Sequence, residues 1–464
     1  MLSNSHNAGT ILSGRRGALV FLLVVLLLTL GFYRNQWHAA GRKWFYDWKT
    51  NSDVMVLARL VWSRQAGVFA AGGLLGLGDG EWPMTPELGA HQYDTYLNGG
   101  AFETYWTYNS VIGAQGVVFS LMERLSGFSP GFDLKLFRGL TAALSALAMA
   151  LIVAWFWQEF GALPAALVLI FCLLSEWLAL YAGSLYWQLW AFYLPAGAVT
   201  VRVRSAHAAE DLAFAPLAGL VALTVLVKIF VSGFEFITTA LAMLFVPVVY
   251  YALLRGWRLR AIGGAALKVA AGAAAGTLAG LLVLALQISS VLGGLRPALD
   301  YLLVTFGKRA VGDPAQYPGV IAESLRADLG SVIWTYVARG RALDLGNWLG
   351  PDLAGLRSTF EIGYFPLFIL FAAFSLAFLL FSGSDKASGL YGTTRALLIT
   401  TWFSMLPPLS WLVFFKAHAY IHANLDYIIW QMPFMFFGFA LCGMVTKYFL
   451  SLRRAEARVP AHAS

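Results

Sequence analysis

Ten stretches of the chain are apolar over a length that suits a membrane span, and this feature limits the available folds more than any other. A helix needs about 20 apolar residues to cross roughly 30 Å of hydrocarbon. The stretches lie at 17–33, 138–157, 163–182, 187–201, 213–230, 236–254, 266–289, 363–381, 396–415 and 427–446. The fourth is short and contains Pro195. We therefore predict an all-α polytopic membrane protein with about 10 transmembrane helices.

The composition excludes an ordinary soluble enzyme. Of the 464 residues, 59% are hydrophobic and 12% are charged, whereas soluble domains have about 45–50% and about 25%. A single core stops growing at about 250–300 residues, so this much apolar chain needs lipid around it. The two cysteines, Cys172 and Cys442, both lie in apolar stretches, which argues against a disulfide framework or a thiolate metal cluster.

The net charge of +8 follows from membrane topology. Lys and Arg concentrate in the short loops on one side of the predicted spans, and such residues resist translocation. Arg15 and Arg16 precede the first stretch, and no small-residue cleavage site follows before Tyr33, so we predict a retained anchor. Both chain termini are then cytoplasmic, in a cell inner (plasma) membrane. The long segments 34–137 and 291–362 are neutral, which gives no footprint for nucleic acid.

The predicted spans divide the chain into six parts. These are a cytoplasmic N-terminus with the first transmembrane helix (1–33), a first outer, periplasmic loop (34–137), transmembrane helices 2–7 (138–290), a second outer loop (291–362), transmembrane helices 8–10 (363–446) and a basic cytoplasmic tail (447–464). Stretches 52–65 and 109–125 of the first loop have helical apolar spacing, which is typical of helices at a membrane surface. The sequence shows no internal repeat, which weakens the case for an inverted-repeat transporter.

Ionisable residues near spans are expensive to bury and often functional. Asp53 opens the predicted helix at 52–65. It can cap the helix by accepting hydrogen bonds from free backbone N–H groups. It can also act as a general base or metal ligand at the bilayer surface. The sequence leaves both roles open.

The run from Lys416 to His422 brings three potential cations to the mouth of the last span. In a helix, His418 and His422 share a face at i, i+4 spacing, which suits a phosphate or a metal. The sequence offers no HExxH motif or second His pair as further ligands. Substrate or phosphate contact, polar anchoring at the interface, and metal binding remain three open interpretations.

Lys228 ends an apolar stretch and is followed by Glu235. It either reaches to the interface or offers a point charge to a lipid phosphate, oriented by Glu235. Tyr186 and Trp187 suit an aromatic belt at the interface, or a platform on which a sugar stacks. The sequence contains no Walker loop, dinucleotide fingerprint or GxSxG elbow in a strand-turn-helix setting, so an activated substrate would come from the membrane.

The arrangement of these features resembles the GT-C superfamily of polytopic glycosyltransferases. Shared features are a first span, a long outer loop with an acidic residue heading an amphipathic helix, and then many spans with short loops. The residues that carry the resemblance are 51–65, Tyr186 with Trp187, Lys228 with Glu235, and 416–422 before Asp426 and Trp430.

The resemblance implies an enzyme, a hexosyl- or pentosyltransferase that moves a sugar, with inversion, from a polyprenyl-phosphate carrier to an acceptor on the outer face. The acceptor is a glycan, a lipid or a protein such as a pilin. Asp53 would be the catalytic carboxylate. Lys228, Lys416, His418 and His422 would bind the donor phosphate, while Glu235, Tyr186 and Trp187 would orient the substrate. Val54 follows Asp53 where a second acid is frequent, so no metal ligand is assigned, although a divalent cation is a possible cofactor.

Two other classes of protein fit the sequence. A transporter or flippase for a lipid-linked or polar solute predicts matching ionisable groups deeper in the membrane and on its inner side. A scaffold of a cell-envelope assembly predicts that Asp53, Lys228 and Lys416 tolerate substitution. The long neutral outer segments favour an enzyme or a scaffold over a carrier.

Overall fold

The computed structural model describes residues 14–349, 360–382 and 389–456. It is helical, and eight of its helices are long and apolar enough to cross a membrane. They are Arg15–Arg34 (α1), Pro130–Phe160 (α5), Phe214–Ser232 (α9), Ile237–Arg255 (α10 to Met243, α11 from Phe245), Leu259–Leu292 (α12), Tyr364–Phe381 (α16), Gly389–Phe414 (α17 to Phe403, α18 from Leu406) and the start of Phe434–Glu456 (α20). Eight predicted spans therefore coincide with long apolar helices, and the chain is a helical, membrane-embedded protein.

The other two predicted spans do not form helices of membrane-spanning length. The stretch 163–182 is divided at Ser175 into α6 (Ala162–Leu174) and α7 (Glu176–Ala182). The Ser175 side chain accepts a hydrogen bond from the Leu178 N–H at 3.5 Å, so a new helix starts there. The stretch 187–201 forms α8 (Leu189–Ser205), a 17-residue helix with two arginines in its last turn. Hydropathy alone shows neither feature.

The two long segments contain the remaining elements. The first holds α2 (Arg42–Ala66), α3 (Pro86–Leu97) and α4 (Ala114–Ser126), and strand β1 (Gly76–Gly78) pairs antiparallel with β2 (Tyr105–Thr107). The second holds α13 (Leu295–Arg309), α14 (Gly319–Arg326) and α15 (Leu329–Ala338), and β3 (Arg341–Asp344) pairs with β4 (Glu361–Gly363). α19 (Lys416–Ile421) links α18 to α20. The all-α prediction thus missed two short ribbons.

Helix α2 differs from the predicted surface helix. It begins at Arg42, so Asp53 lies in its middle and cannot be its N-cap, and this alternative is wrong. Every residue from Asp53 to Val61 is buried, which means that the helix is covered on all sides rather than along one face. Helices α3, α4 and α7 and strand β1 pack around it.

Both long segments lie at one end of the helix bundle. The Gln287 side-chain amide, near the end of α12, donates to the Gly72 carbonyl oxygen of the first segment at 2.9 Å. The Trp177 indole N–H of α7 donates to the Arg341 carbonyl oxygen of the second segment at 2.7 Å. We call this end of the bundle the loop end.

Candidate functional site

Glu235 lies at the loop end, in the short link between α9 and α10. Gly233 supports this link with a φ of +57°. An added Cβ there would lie 2.4 Å from the Val111 side chain, so the link requires glycine both for its backbone conformation and for space. The Glu235 Oε2 atom is 3.5 Å from His418 Nε2, and the two side chains are only 5% and 11% exposed.

Helix α19 places His418 and His422 side by side, as their spacing predicted. Their ring centroids are 4.4 Å apart. Burial, His418 and Arg309 lower the pKa of His422 to about 4, against the pull of Glu235. Burial opposes ionisation of Glu235, but His418, Arg309 and His422 outweigh it and lower its pKa to about 2. At neutral pH Glu235 is thus an ionised carboxylate and His422 is a neutral imidazole.

Arg309, the last residue of α13, supplies a permanent positive charge close to Glu235. Its guanidinium donates to the Tyr108 hydroxyl of the first segment at 3.2 Å. Burial opposes the charge of Arg309, yet Tyr108, Glu235 and Tyr186 raise its pKa. Sequence reasoning missed both Arg309 and Tyr108. The only signal in the sequence was the run 301–309, which is mostly apolar and ends in Lys308 and Arg309. Basic residues are common at the ends of helices, so this run did not single out Arg309.

Tyr186 and Trp187 reach the same place from the turn before α8. The Tyr186 hydroxyl interacts with Tyr108, and burial raises its pKa well above the usual value. The Trp187 ring stacks on Phe236, the neighbour of Glu235, at 5.8 Å and 24°. We define the loop-end site as Glu235, His418, His422, Arg309, Tyr108 and Tyr186. Its residues come from five separate stretches of the chain.

Asp426 lies behind the loop-end site. Its Oδ2 atom accepts a hydrogen bond from the Trp411 indole N–H at 3.1 Å, and the Trp411 ring contacts His418 edge-on at 5.5 Å. Burial and the charge of Glu235 raise the pKa of Asp426 well above its usual value. The charged form of the Asp426 carboxyl is thus disfavoured.

The two predicted phosphate-binding lysines do not join the site. The ammonium of Lys228 is fully buried and donates to the carbonyl oxygens of Gly233 and Glu235. The ammonium of Lys416 donates to the carbonyl oxygens of Leu325 and Ala327 at 2.9 and 2.6 Å. Both charges stabilise backbone at helix ends, so this arrangement gives no support to their assignment as phosphate ligands.

The hydrogen-bond and ion-pair partners of the Asp53 carboxylate also lie outside the loop-end site. One carboxylate oxygen pairs with Arg138 Nε at 2.7 Å, and the other accepts from the Leu185 N–H at 2.8 Å. The residue has no exposed surface. Burial raises the pKa of the Asp53 carboxyl, while Arg138 and the Leu185 amide oppose the rise. A group with both oxygens engaged and no accessible surface is not placed to take a proton from a substrate.

No metal centre forms in the part of the chain that the structure describes: no three His, Cys, Asp or Glu side chains converge on a common point. The His418 and His422 pair has one carboxylate neighbour, Glu235, and that group is 3.5 Å from His418, which is an ion-pair distance rather than a shared ligand geometry. The residues present therefore do not fit the metal interpretation of the Lys416 to His422 run.

The fold and the site define the class of the chain as a multi-pass helical membrane protein with a buried ionisable cluster at one end. No family model, no curated protein and no solved structure matches it.

Proposed function

We propose that the chain is a membrane glycosyltransferase that moves a sugar from a polyprenyl-phosphate carrier to an acceptor hydroxyl or amide, with inversion. One observation carries the proposal. The loop-end site combines the ionised carboxylate of Glu235, the neutral imidazole of His422 and the guanidinium of Arg309 in one buried cluster at the end of a bundle of apolar helices. We propose that a lipid-linked anionic donor approaches this cluster from the membrane.

In this reaction the bond between the anomeric carbon and the carrier phosphate oxygen breaks, while a bond to the acceptor forms. The phosphate leaves with the electron pair of the broken bond, and the acceptor loses a proton. We assign Arg309, with the Tyr108 hydroxyl, to the leaving phosphate because a planar guanidinium donates to two phosphate oxygens at once. Preorganised donors at a developing negative charge contribute about 10²–10³ in rate each.

We assign Glu235 to the acceptor proton. Its low pKa makes it a weak base, so its contribution lies at the lower end of the roughly 10²–10⁴ expected for a general base. Glycosyl transfer passes through an oxocarbenium-like transition state, which a neutral acceptor attacks readily. Stabilisation of the negative charge on the leaving phosphate therefore contributes more to the rate than removal of the acceptor proton. His418 acts through Glu235 as a positioning residue.

We further propose that the loop end faces the outside of a cell inner (plasma) membrane and that the active site faces the periplasm, with both chain termini cytoplasmic. The positive-inside distribution of Lys and Arg in the short loops supports this orientation. A carrier-linked sugar would then be used on the outer leaflet.

The test is transfer of label from a panel of polyprenyl-phosphate sugars to glycan, lipid and protein acceptors by purified protein in liposomes. Wild-type protein should transfer label. Glu235→Gln should lower kcat about 10²-fold, whereas Glu323→Gln, at an exposed carboxylate of the second segment, should leave it unchanged. Arg309→Gln should lower kcat/KM about 10²–10³-fold, whereas Arg296→Gln, at the exposed start of the same helix, should not.

Absence of transfer with every donor would overturn the proposal. Substrate-dependent flux in sealed vesicles under the same conditions would instead favour the transporter. Full activity of Glu235→Gln would keep the reaction but remove Glu235 from its role.

A further inference from the structure

The turn between α7 and α8 carries Tyr186 and Trp187 into the loop-end site. Its backbone is not helical, and Gln188 ends it with a φ of +46°. The Ser184 hydroxyl oxygen accepts hydrogen bonds from the N–H groups of Tyr186 and Trp187, each at 3.3 Å. These contacts give the turn its shape, but they do not fix it to the rest of the molecule.

Helix α2 holds the turn in place. The Asp53 carboxylate accepts from the Leu185 N–H at 2.8 Å, and the Ser184 hydroxyl donates to the Ser52 hydroxyl at 2.9 Å. Arg138 holds the other Asp53 oxygen at 2.7 Å. Two adjacent side chains of one helix thus bind two adjacent residues of the turn.

The far side of the turn meets the site. The Gln115 side-chain amide donates to the Tyr186 carbonyl oxygen at 3.3 Å, and the Ser232 hydroxyl donates to the Trp187 carbonyl oxygen at 2.9 Å. Ser232 is the last residue of α9, next to the link that carries Glu235. The position of the turn relative to Glu235 therefore depends on α2 on one side and α9 on the other.

The geometry points to Asp53 and Ser52 as positioning residues for the transferase site. They fix residues 184–187, and through that turn they hold Tyr186 and Trp187 against Arg309 and the Glu235 link. This inference rests on the proposed function. A shift of about 1 Å in a substrate-positioning group can cost about 10²-fold in rate. Loss of a contact that fixes the turn should therefore lower turnover even though that contact does not touch Glu235.

A positioning role and a role as base predict different variants. Asn at position 53 retains an oxygen for the Leu185 N–H but has no charge, whereas Ala removes both. Positioning predicts that Asp53→Asn keeps kcat/KM within about tenfold of wild type, with the same pH profile, and that Asp53→Ala falls about 10²-fold. A base at Asp53 predicts that Asn and Ala are equally inactive.

Ser52→Ala keeps the test decisive where Asp53→Ala fails to fold, since serine has no acid-base role here. Ser52→Ala should lower kcat/KM about fivefold, as expected for the loss of one ordinary hydrogen bond. The change should appear in the KM for the donor or in kcat, while the free energy of unfolding stays the same. The matched control is Ser63→Ala, because Ser63 lies on the same helix and its hydroxyl donates to the Arg59 carbonyl oxygen at 2.8 Å, away from the turn. It should transfer label as wild type does.

The outcomes separate the two proposals. If wild-type protein transfers no label, the proposed function fails, and the positioning role falls with it. If wild-type protein transfers label but Ser52→Ala matches Ser63→Ala and Asp53→Asn is as inactive as Asp53→Ala, the positioning role alone is overturned.

Discussion

Buried ionisable side chains at the loop end fall into two groups according to what they bind. Lys228 and Lys416 donate to backbone carbonyl oxygens, and Lys49 donates to the carbonyl oxygens of Phe32 and Tyr33 at 3.1 and 2.9 Å. These groups stabilise the fold. Glu235 and His418 face each other instead, and such pairs of titratable groups are typical of functional sites.

His422 should make stability depend on pH. Its pKa is about 4 in the folded protein because burial and nearby positive charge disfavour the imidazolium, while an unfolded His titrates near 6.5. Between these values the unfolded chain binds more protons, so stability should fall as the pH is lowered from 6.5 to about 4. Thermal unfolding in detergent across this range measures the effect.

The variant that tests this prediction is His422→Asn, which should flatten that part of the pH dependence, and the matched control is a histidine elsewhere. His38→Asn, at a histidine beside Trp348 and away from the cluster, should leave it unchanged. An unaltered slope in His422→Asn would show that another group causes the dependence.

The histidine spacing was predictable from the sequence, whereas the partners of the lysines were not. His418 and His422 lie within one helical turn, so their proximity is a local property. Lys416 meets Leu325 and Ala327, about ninety positions earlier in the chain (416 − 325 = 91), and this contact depends on how α14 and α19 pack. A lysine drawn towards a backbone carbonyl has the same sequence signature as one that faces a phosphate.

Helices α9 and α12 pack closely because α12 presents glycines to its neighbour. A Cβ at Gly272 would lie 2.4 Å from the Ala218 carbonyl oxygen, and one at Gly276 would lie 2.5 Å from the Ala222 carbonyl oxygen. Small residues let two backbones approach within a membrane, where lipid removes the hydrophobic driving force between helices. This contact holds α9, and hence the Glu235 link, against α12.

Gly272→Ala should therefore destabilise the protein by about 1–3 kcal/mol, because the clash is with backbone that cannot rotate away. Gly264→Ala is the control. It lies on the same helix with no atom within 4 Å of the added Cβ, so helix propensity should leave it as stable as wild type or up to about 1 kcal/mol more stable. Denaturant unfolding in detergent compares the two, and equal stability of both variants would contradict the packing argument.

Element boundaries were predictable where hydropathy changes and unpredictable where it does not. The first span and the helix at 266–289 coincide with apolar runs and are found as α1 and α12. The break at Ser175 falls beside Glu176 inside a run that is otherwise apolar, and the new hydrogen bonds of α7 show that the helix is divided there. Helix α2 begins ten residues before its apolar pattern (52 − 42 = 10), and in this first half only Phe45, Trp48 and Lys49 are buried.

Arg341 ties the second long segment to the bundle. Its guanidinium makes two bonds to Glu176 of α7, at 2.8 and 2.6 Å, and one to Glu361 at 3.0 Å. The Glu176 side chain is 1% exposed and that of Arg341 is 32% exposed. Since α7 leads directly into the turn at 184–187, this ion pair joins the second segment to the frame of the loop-end site.

Arg341→Met should leave the Glu176 carboxylate buried without its guanidinium. Loss of one partner of a fully buried pair costs about 3–5 kcal/mol, and we expect about 2–3 kcal/mol because Arg341 is partly exposed and solvent screens it. Limited proteolysis should cut segment 293–363 faster. Arg339→Met, at an exposed arginine two positions earlier, should change neither the unfolding free energy nor the cleavage rate, and faster cleavage in both variants would contradict the role of the ion pair.

Sequence patterns establish the class of this protein because the properties involved are local. A long run of apolar residues is stable only in lipid or in a large hydrophobic core. The helical, membrane-embedded architecture therefore follows from the composition and order of the residues alone. The i, i+4 spacing of the two histidines is also a property of neighbouring residues, and so is the absence of soluble-nucleotide motifs from the sequence.

Packing alone decides which charged groups meet. Asp53 joins Arg138 and Leu185 rather than a substrate. The Glu235 carboxylate faces His418, while Lys228 donates to backbone carbonyl oxygens. These contacts span tens to hundreds of residues and depend on the crossing and depth of several helices, which periodicity does not encode. The residue that looked most like a catalytic acid in the sequence is a buried partner in the fold, because burial and neighbours, rather than residue type, set what a carboxylate can do.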